Sequence, residues 1–168
     1  MTDGHTLPGV APGSIGFAFS FDSLVHAEQD ALDGYLVALG DALAPDGVAF
    51  LHHSNFGAVL AERPSSENRH WRAESVSAAA VAEAAAKAGL VVPRQEIVDW
   101  GGVAECDALT LVARPDSRWD RAPLRLVNAS FMGEAQSLAV RSRLWGTGLE
   151  RPVPAPRRGF WARLFGVD

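Results

Sequence analysis

The first strong hydrophobic signal is Ile15-Gly16-Phe17-Ala18-Phe19-Ser20-Phe21, set between the turn pair Pro12-Gly13 and Asp22. A short, apolar, aromatic-rich run bounded by turn residues predicts a buried strand. From about Ala27 to Leu43 the period lengthens: Leu32, Tyr35, Leu36, Leu39 and Leu43 recur at three- and four-residue spacing, which predicts a helix. Glu28 and Asp30 sit in its first turn, where the helix dipole favours anions. Ala44-Pro45-Asp46-Gly47 ends it, because proline cannot continue a helix. Val48 to His53 predicts a second buried strand. Residues 54–72 have no clear period and read as a loop with about one helical turn. Ser77 suits the N-cap of a helix over about Ala78 to Ala88, with Gly89 at the left-handed position after it. Leu90 to Trp100 predicts a third strand, placed near an edge by Pro93. Gly101-Gly102 turns the chain toward a fourth strand, Asp107 to Ala113. Asn128 to Trp145 predicts a further helix, Arg151 to Arg158 a proline-rich linker, and Phe160 to Phe165 a short amphipathic end.

Alternating strands and helices predict an α/β domain with a mostly parallel sheet. The third and fourth strands are joined by too short a stretch for a parallel crossover, so that pair is expected to be antiparallel. At 168 residues, 48% apolar and 21% charged, the chain has material for one folded domain and a real core. The net charge of −5 gives no reason to expect nucleic acid as a partner. A single cysteine, Cys106, excludes an intrachain disulfide and fits a reducing, cytoplasmic setting. No run approaches the roughly 20 apolar residues of a membrane-spanning helix.

Three local matches carry a resemblance. Phe19-Ser20-Phe21-Asp22-Ser23-Leu24-Val25-His26-Ala27-Glu28 resembles strand four and the following loop of class I S-adenosylmethionine-dependent methyltransferases. Leu43-Ala44-Pro45-Asp46-Gly47-Val48-Ala49-Phe50 is similar to the turn leading into their strand five, and His52-His53-Ser54-Asn55 to the end of that strand. The combination is similar to a bacterial group associated with sugar and polysaccharide modification. The resemblance covers roughly Asp3 to Arg114. It implies a partial Rossmann-like methyltransferase fold: the carboxyl-terminal half of the domain over residues 1–114, a helical extension over 115–150, and a linker with a short tail over 151–168.

The family's strand order is 3-2-1-4-5-7-6, and its glycine-rich cofactor loop follows strand one. No such loop stands between a strand and a helix here, so the chain is expected to begin in mid-fold, as a truncated product or one completed by a partner. The first predicted strand would then be an exposed edge, covered by a second copy or a partner chain.

The resemblance implies S-adenosylmethionine as cofactor and a small-molecule or glycan hydroxyl as acceptor. Asp3 and Gly4 correspond to the tail of strand three, where the family often contacts adenine. Ser20 and Asp22 are the other candidate cofactor contacts. Ligands of open α/β sheets bind beyond the carboxyl ends of the strands, where Asp22, His26, His52, His53 and Asn55 gather. Histidine titrates near neutral pH and suits proton removal from a hydroxyl. His26 is the first candidate base and His53 the second, with Asp22 to orient a histidine. Neighbouring strand residues point to opposite faces, so one of His52 and His53 is expected to be buried and hydrogen-bonded. His52, Asn55, Trp71 and Arg72 are candidate substrate contacts, Trp71 by stacking and Arg72 by holding an anion. Each has a plain alternative: Asn55 as a cap, Trp71 as a loop anchor, His26 as a helix opener. Asp22 with the histidines also offers metal ligands, but no tight ligand motif is present, and no metal is expected. The terminal Phe160, Trp161, Leu164 and Phe165, flanked by arginines, would give at most weak membrane contact.

Overall fold

The computed structural model describes residues 6–145. In chain order the elements are β1 (Ile15–Leu24), α1 (Gln29–Ala42), β2 (Leu43–Ser54), α2 (Phe56–Glu62), α3 (Ala78–Lys87), β3 (Val91–Trp100), β4 (Val103–Ala113), β5 (Leu124–Asn128) and α4 (Phe131–Trp145). The chain divides into two compact units, a sheet unit through Glu134 and a second from Ala135 that holds the rest of α4. The linker and amphipathic tail expected over residues 151–168 lie outside the described residues.

The sheet has five strands in the order β1-β2-β4-β3-β5. β1 and β2 are parallel, β4 is antiparallel to both β2 and β3, and β5 runs parallel to β3. The fold is therefore α/β with a mostly parallel, Rossmann-like sheet and one reversed strand. β1-β2-β4-β3 is the order the resemblance implies for strands four, five, seven and six.

Two expectations need correction and one needs sharpening. β5 was not legible: five residues are too few to reveal a period, and its side chains are mostly exposed. β3 lies near an edge as expected, but it is not the edge strand, being paired with β4 on one side and the outermost β5 on the other. Pro93 is tolerated because it falls within a register shift between Val91 and Arg94, just before the paired run with β5 begins. Finally, β1 is not buried. Phe17 and Phe19 are 63% and 65% exposed.

α1 and α3 cover one face of the sheet. Leu32, Leu36 and Leu39 of α1 and Val81 and Ala85 of α3 pack on Ala49, Leu51 and Val112 in the main core. Ser77 caps α3 as expected, its Oγ accepting from the Ala80 N–H at 3.1 Å. The opposite face carries an aromatic row in which Phe19 stacks on Phe21 and on Phe50, with ring centres 6.4 and 5.5 Å apart.

Candidate functional site

The carboxyl ends of β1, β2 and β3 and the start of β4 meet at one rim. A strap over residues 63–76 crosses it. The Ala73 N–H donates to Val25 O at 2.9 Å, and Ser54 Oγ donates to Ala73 O at 2.7 Å. Gly57, at the start of α2, lies so close that a Cβ there would sit 2.7 Å from Glu74 O. The strap is thereby fixed against the ends of both parallel strands.

Beneath it lies a buried ionic group. Arg72 donates from Nε and Nη2 to the two carboxylate oxygens of Asp107, at 2.8 and 2.7 Å. Both side chains are almost completely buried. This fork-to-fork geometry is the strong form of a carboxylate–guanidinium pair. His52 Nε2 lies 3.0 Å from Asp107 Oδ2, while its Nδ1 accepts from the Asp22 N–H at 3.1 Å. A backbone N–H only donates, so Nδ1 is the bare nitrogen and Nε2 carries the proton given to Asp107. Phe21 and Trp100 flank the imidazole at 4.6 and 5.1 Å, and the Arg72 guanidinium lies 5.5 Å from the Trp100 ring centre.

His53 points to the helix-covered face. Its Nδ1 donates to Ser54 O at 2.8 Å, and its Nε2 lies 2.8 Å from Thr110 Oγ1. Gln95 Nε2 donates to the same hydroxyl oxygen and to Ala78 O. The chain closes only with neutral imidazole accepting from the threonine. Burial, which disfavours the charged form, pushes the His53 pKa down to about 4.

Of the residues picked from sequence, the structure brings Asp22, His26, His52, His53, Asn55, Trp71 and Arg72 to this rim but exposes only some of them. Both histidines of the pair are enclosed with both ring nitrogens engaged, where one was expected to face a pocket. Arg72 is committed to Asp107 rather than open to an anion. Asn55 ties the rim together, accepting from the Ala78 N–H and donating to Glu105 O, both at 2.8 Å. His52 is buried because the strap, not foreseeable from local pattern, lies over it and turns its own Arg72 inward, whereas His53 is buried under α1 and α3.

Asp22, His26 and Trp71 remain exposed. Trp71 is 79% exposed and is not a core anchor. Its φ of 49° is strained for a bulky side chain, and Asp22 also has positive φ, 56°. His26 Nδ1 lies 2.8 Å from the Trp71 carbonyl, so it donates there and leaves Nε2 as the basic nitrogen. Ser20 and Ser23 share a hydroxyl–hydroxyl bond of 2.7 Å beside Asp22. Two hydroxyls and a carboxylate suit hydroxyl groups or a cationic centre of a cofactor. Among the described residues no strand-to-helix turn is glycine-rich, so they fit part of S-adenosylmethionine and not its carboxylate end. Asp3 and Gly4 lie outside the described residues.

Asp107 and Trp100 were missed. The available signal was Asp107, an acidic residue followed by the largely apolar run from Ala108 to Ala113, where a buried carboxylate demands a partner. Cys106 is buried, and desolvation pushes its thiol pKa up to about 12, so it stays protonated and is no nucleophile. Among the described residues no cluster of three His, Cys, Asp or Glu side chains is placed to hold a metal ion, and no helix is long and apolar enough to cross a membrane.

No family model and no curated protein matches the chain. Solved structures similar in chain course include the PH0226 protein of Pyrococcus horikoshii OT3, with TM-score 0.48 and 17% identity over 67% of this chain and 57% of that one. Another is the complex between the Haloferax volcanii Trm112 methyltransferase activator and a methyltransferase, with TM-score 0.45 and 18% identity over 70% of this chain and 60% of that one. A third is the structure describing conversion of a disulfide bond into a thioacetal group during echinomycin biosynthesis, with TM-score 0.44 and 17% identity over 84% of this chain and 60% of that one. The chain thus spans less than two thirds of each. At these scores they assign no residue a role.

Proposed function

We propose that this chain carries the acceptor side of an S-adenosylmethionine-dependent methyltransferase acting on a small-molecule or glycan hydroxyl. The observation that supports it is the sheet order β1-β2-β4-β3 with β4 reversed, joined to an exposed rim at Asp22, His26 and Trp71. S-adenosylmethionine, when bound, supplies an electrophilic methyl group. His26 Nε2 takes the proton as the acceptor oxygen is methylated, a role open to it because Nδ1 is held by the Trp71 carbonyl. Trp71 offers a face for a sugar ring, while Asp22 and Ser20 contact the cofactor. Asp107 and Arg72 position the strap without touching substrate. In this reading the described residues bind cofactor incompletely, and turnover needs the glycine-rich half-site.

Titration calorimetry of S-adenosylmethionine into the folded chain tests this. Because the described residues would hold only part of the cofactor, the expected result is weak binding, in about the millimolar range, weakened further in Asp22→Asn and unchanged in His26→Gln. No heat from protein shown to be folded by circular dichroism would remove the cofactor reading.

A second reading is favoured by the outer edge of β1, which no strand among the described residues pairs: the chain is an interaction module that pairs there with a partner chain or a second copy. A stable dimer without cofactor affinity would support it.

A further inference from the structure

β1 and β2 run in register from Phe17 to Ser20, but between Ser20 and Leu24 β1 advances four residues while β2 advances two, from Leu51 to His53. The surplus forms a bulge around Asp22, whose φ of 56° lies in the left-handed region that aspartate visits as a single residue. A bulge re-aims a side chain, and it holds only if its displaced backbone groups find partners. The Ser20–Ser23 hydroxyl bond spans this one, at 2.7 Å. The Asp22 N–H finds its partner on the strand that the bulge faces, donating to His52 Nδ1 at 3.1 Å.

His52 lies in the stretch of β2 that the bulge skips, and it is fully buried. Its ring is fixed from the far side, because Nε2–H donates to Asp107 Oδ2, and Phe21 and Trp100 flank it. The same carboxylate holds Arg72, whose Nη2 lies 3.8 Å from the half-exposed carboxylate of Asp22. Asp107 therefore anchors two arms that end on one residue: His52 on the Asp22 backbone and Arg72 beside its side chain. Both arms are enclosed, and the residue they serve is the one open to the rim.

We propose that His52 is a positioning residue: its Nδ1 locks the bulge in β1 and so sets the Asp22 carboxylate on the rim for a ligand. The identity of that ligand rests on the reading above, in which Asp22 contacts S-adenosylmethionine. Only a bare Nδ1 accepts from a backbone N–H, and the bond to Asp107 keeps the proton on Nε2.

Two substitutions divide the two contacts of the ring. His52→Asn sets an amide oxygen near the place of Nδ1 and gives up the bond to Asp107. His52→Gln keeps a donor near the place of Nε2 and gives up the acceptor for Asp22. Amide hydrogen exchange by NMR on the full chain is the first readout. Relative to Val112 in the core, the Asp22 N–H is expected to exchange about tenfold faster in His52→Gln and to stay near wild type in His52→Asn. Lost packing alone would move the two variants together, because each removes the buried ring. Affinity for S-adenosylmethionine, followed by chemical-shift titration, is expected to fall in His52→Gln to the level of Asp22→Asn and to be rescued in His52→Asn. Equal exchange at Asp22 in the two variants, or affinity that tracks their stability, would overturn the proposal. Should either variant fail to fold, the ring-nitrogen shifts of His52 in the wild type decide: a bare Nδ1 with a protonated Nε2 supports the clamp, and the reverse tautomer overturns it. An Asp22 amide that only His52→Gln releases, in a protein without affinity for S-adenosylmethionine, would remove the cofactor reading and keep the clamp.

Discussion

His52 and His53 are neighbours in sequence and face opposite sides of the same sheet, and the two sides are finished differently. The His53 side is closed by α1 and α3, and its polar groups form a neutral chain through Thr110 and Gln95. The His52 side is ionic at the rim, through Asp107 and Arg72, and aromatic and open along β1. One strand therefore serves a completed core and an unfinished surface. Burial here is decided by what crosses a face, not by the hydrophobicity of the strand beneath it.

The sharpest way to break this contrast is at Asp107. Asp107→Ala leaves the Arg72 guanidinium buried with only the half-exposed Asp22 carboxylate, 3.8 Å away, as partner, a loss expected to cost about 3 kcal/mol. Urea unfolding of the purified variant measures it. A change under about 1 kcal/mol would mean that Arg72 swings to solvent and that the strap is not held by this pair.

The two faces should also differ in their tolerance of truncation. Leu36→Ala on the covered side is expected to lose about 2–5 kcal/mol, because it opens a cavity in the main core. Phe19→Ser on the open side should stay within about 0.5 kcal/mol in the isolated chain, since little is buried there. Equal costs would show that β1 is covered in solution.

Acid sharpens the contrast between the histidines. The folded-state pKa of His53, about 4, lies below its ordinary value of 6.5. The unfolded chain therefore binds this proton first as pH falls. The stability tied to neutral His53 is full above pH 6.5 and is lost between 6.5 and about 4, on the order of 3 kcal/mol in all. Glu28, its pKa lowered by the Ser75 hydrogen bond, adds a separate loss below 4.5. Melting temperature against pH for the wild type and His53→Gln checks this, with the variant expected to be flatter across the upper window.

Much of the local structure was legible because it depends on neighbours in sequence. The leucine spacing in α1, the Ser77 cap of α3 and the end of α1 at Ala42, just ahead of Pro45, are settled within a few residues. The short link between β3 and β4 likewise dictates their antiparallel pairing. The candidate site was legible only as a neighbourhood. The rule that ligands gather at strand ends brought five residues to one rim, Trp71 and Arg72 were added as substrate contacts, and four of the seven are buried.

The sequence by itself determined the elements apart from β5, their alternation, the reversed fourth strand and the acidic bias of the first 62 residues. Tertiary structure alone decided that Arg72 meets Asp107 across 35 positions, that both histidines are enclosed, that Pro93 sits inside the sheet and that Phe17 and Phe19 of β1 are exposed. The physical reason is the range of the forces. Helix periods, caps and turns are fixed by contacts a few residues apart. Burial and ion pairing depend on which distant segment arrives, and no local pattern encodes that arrival.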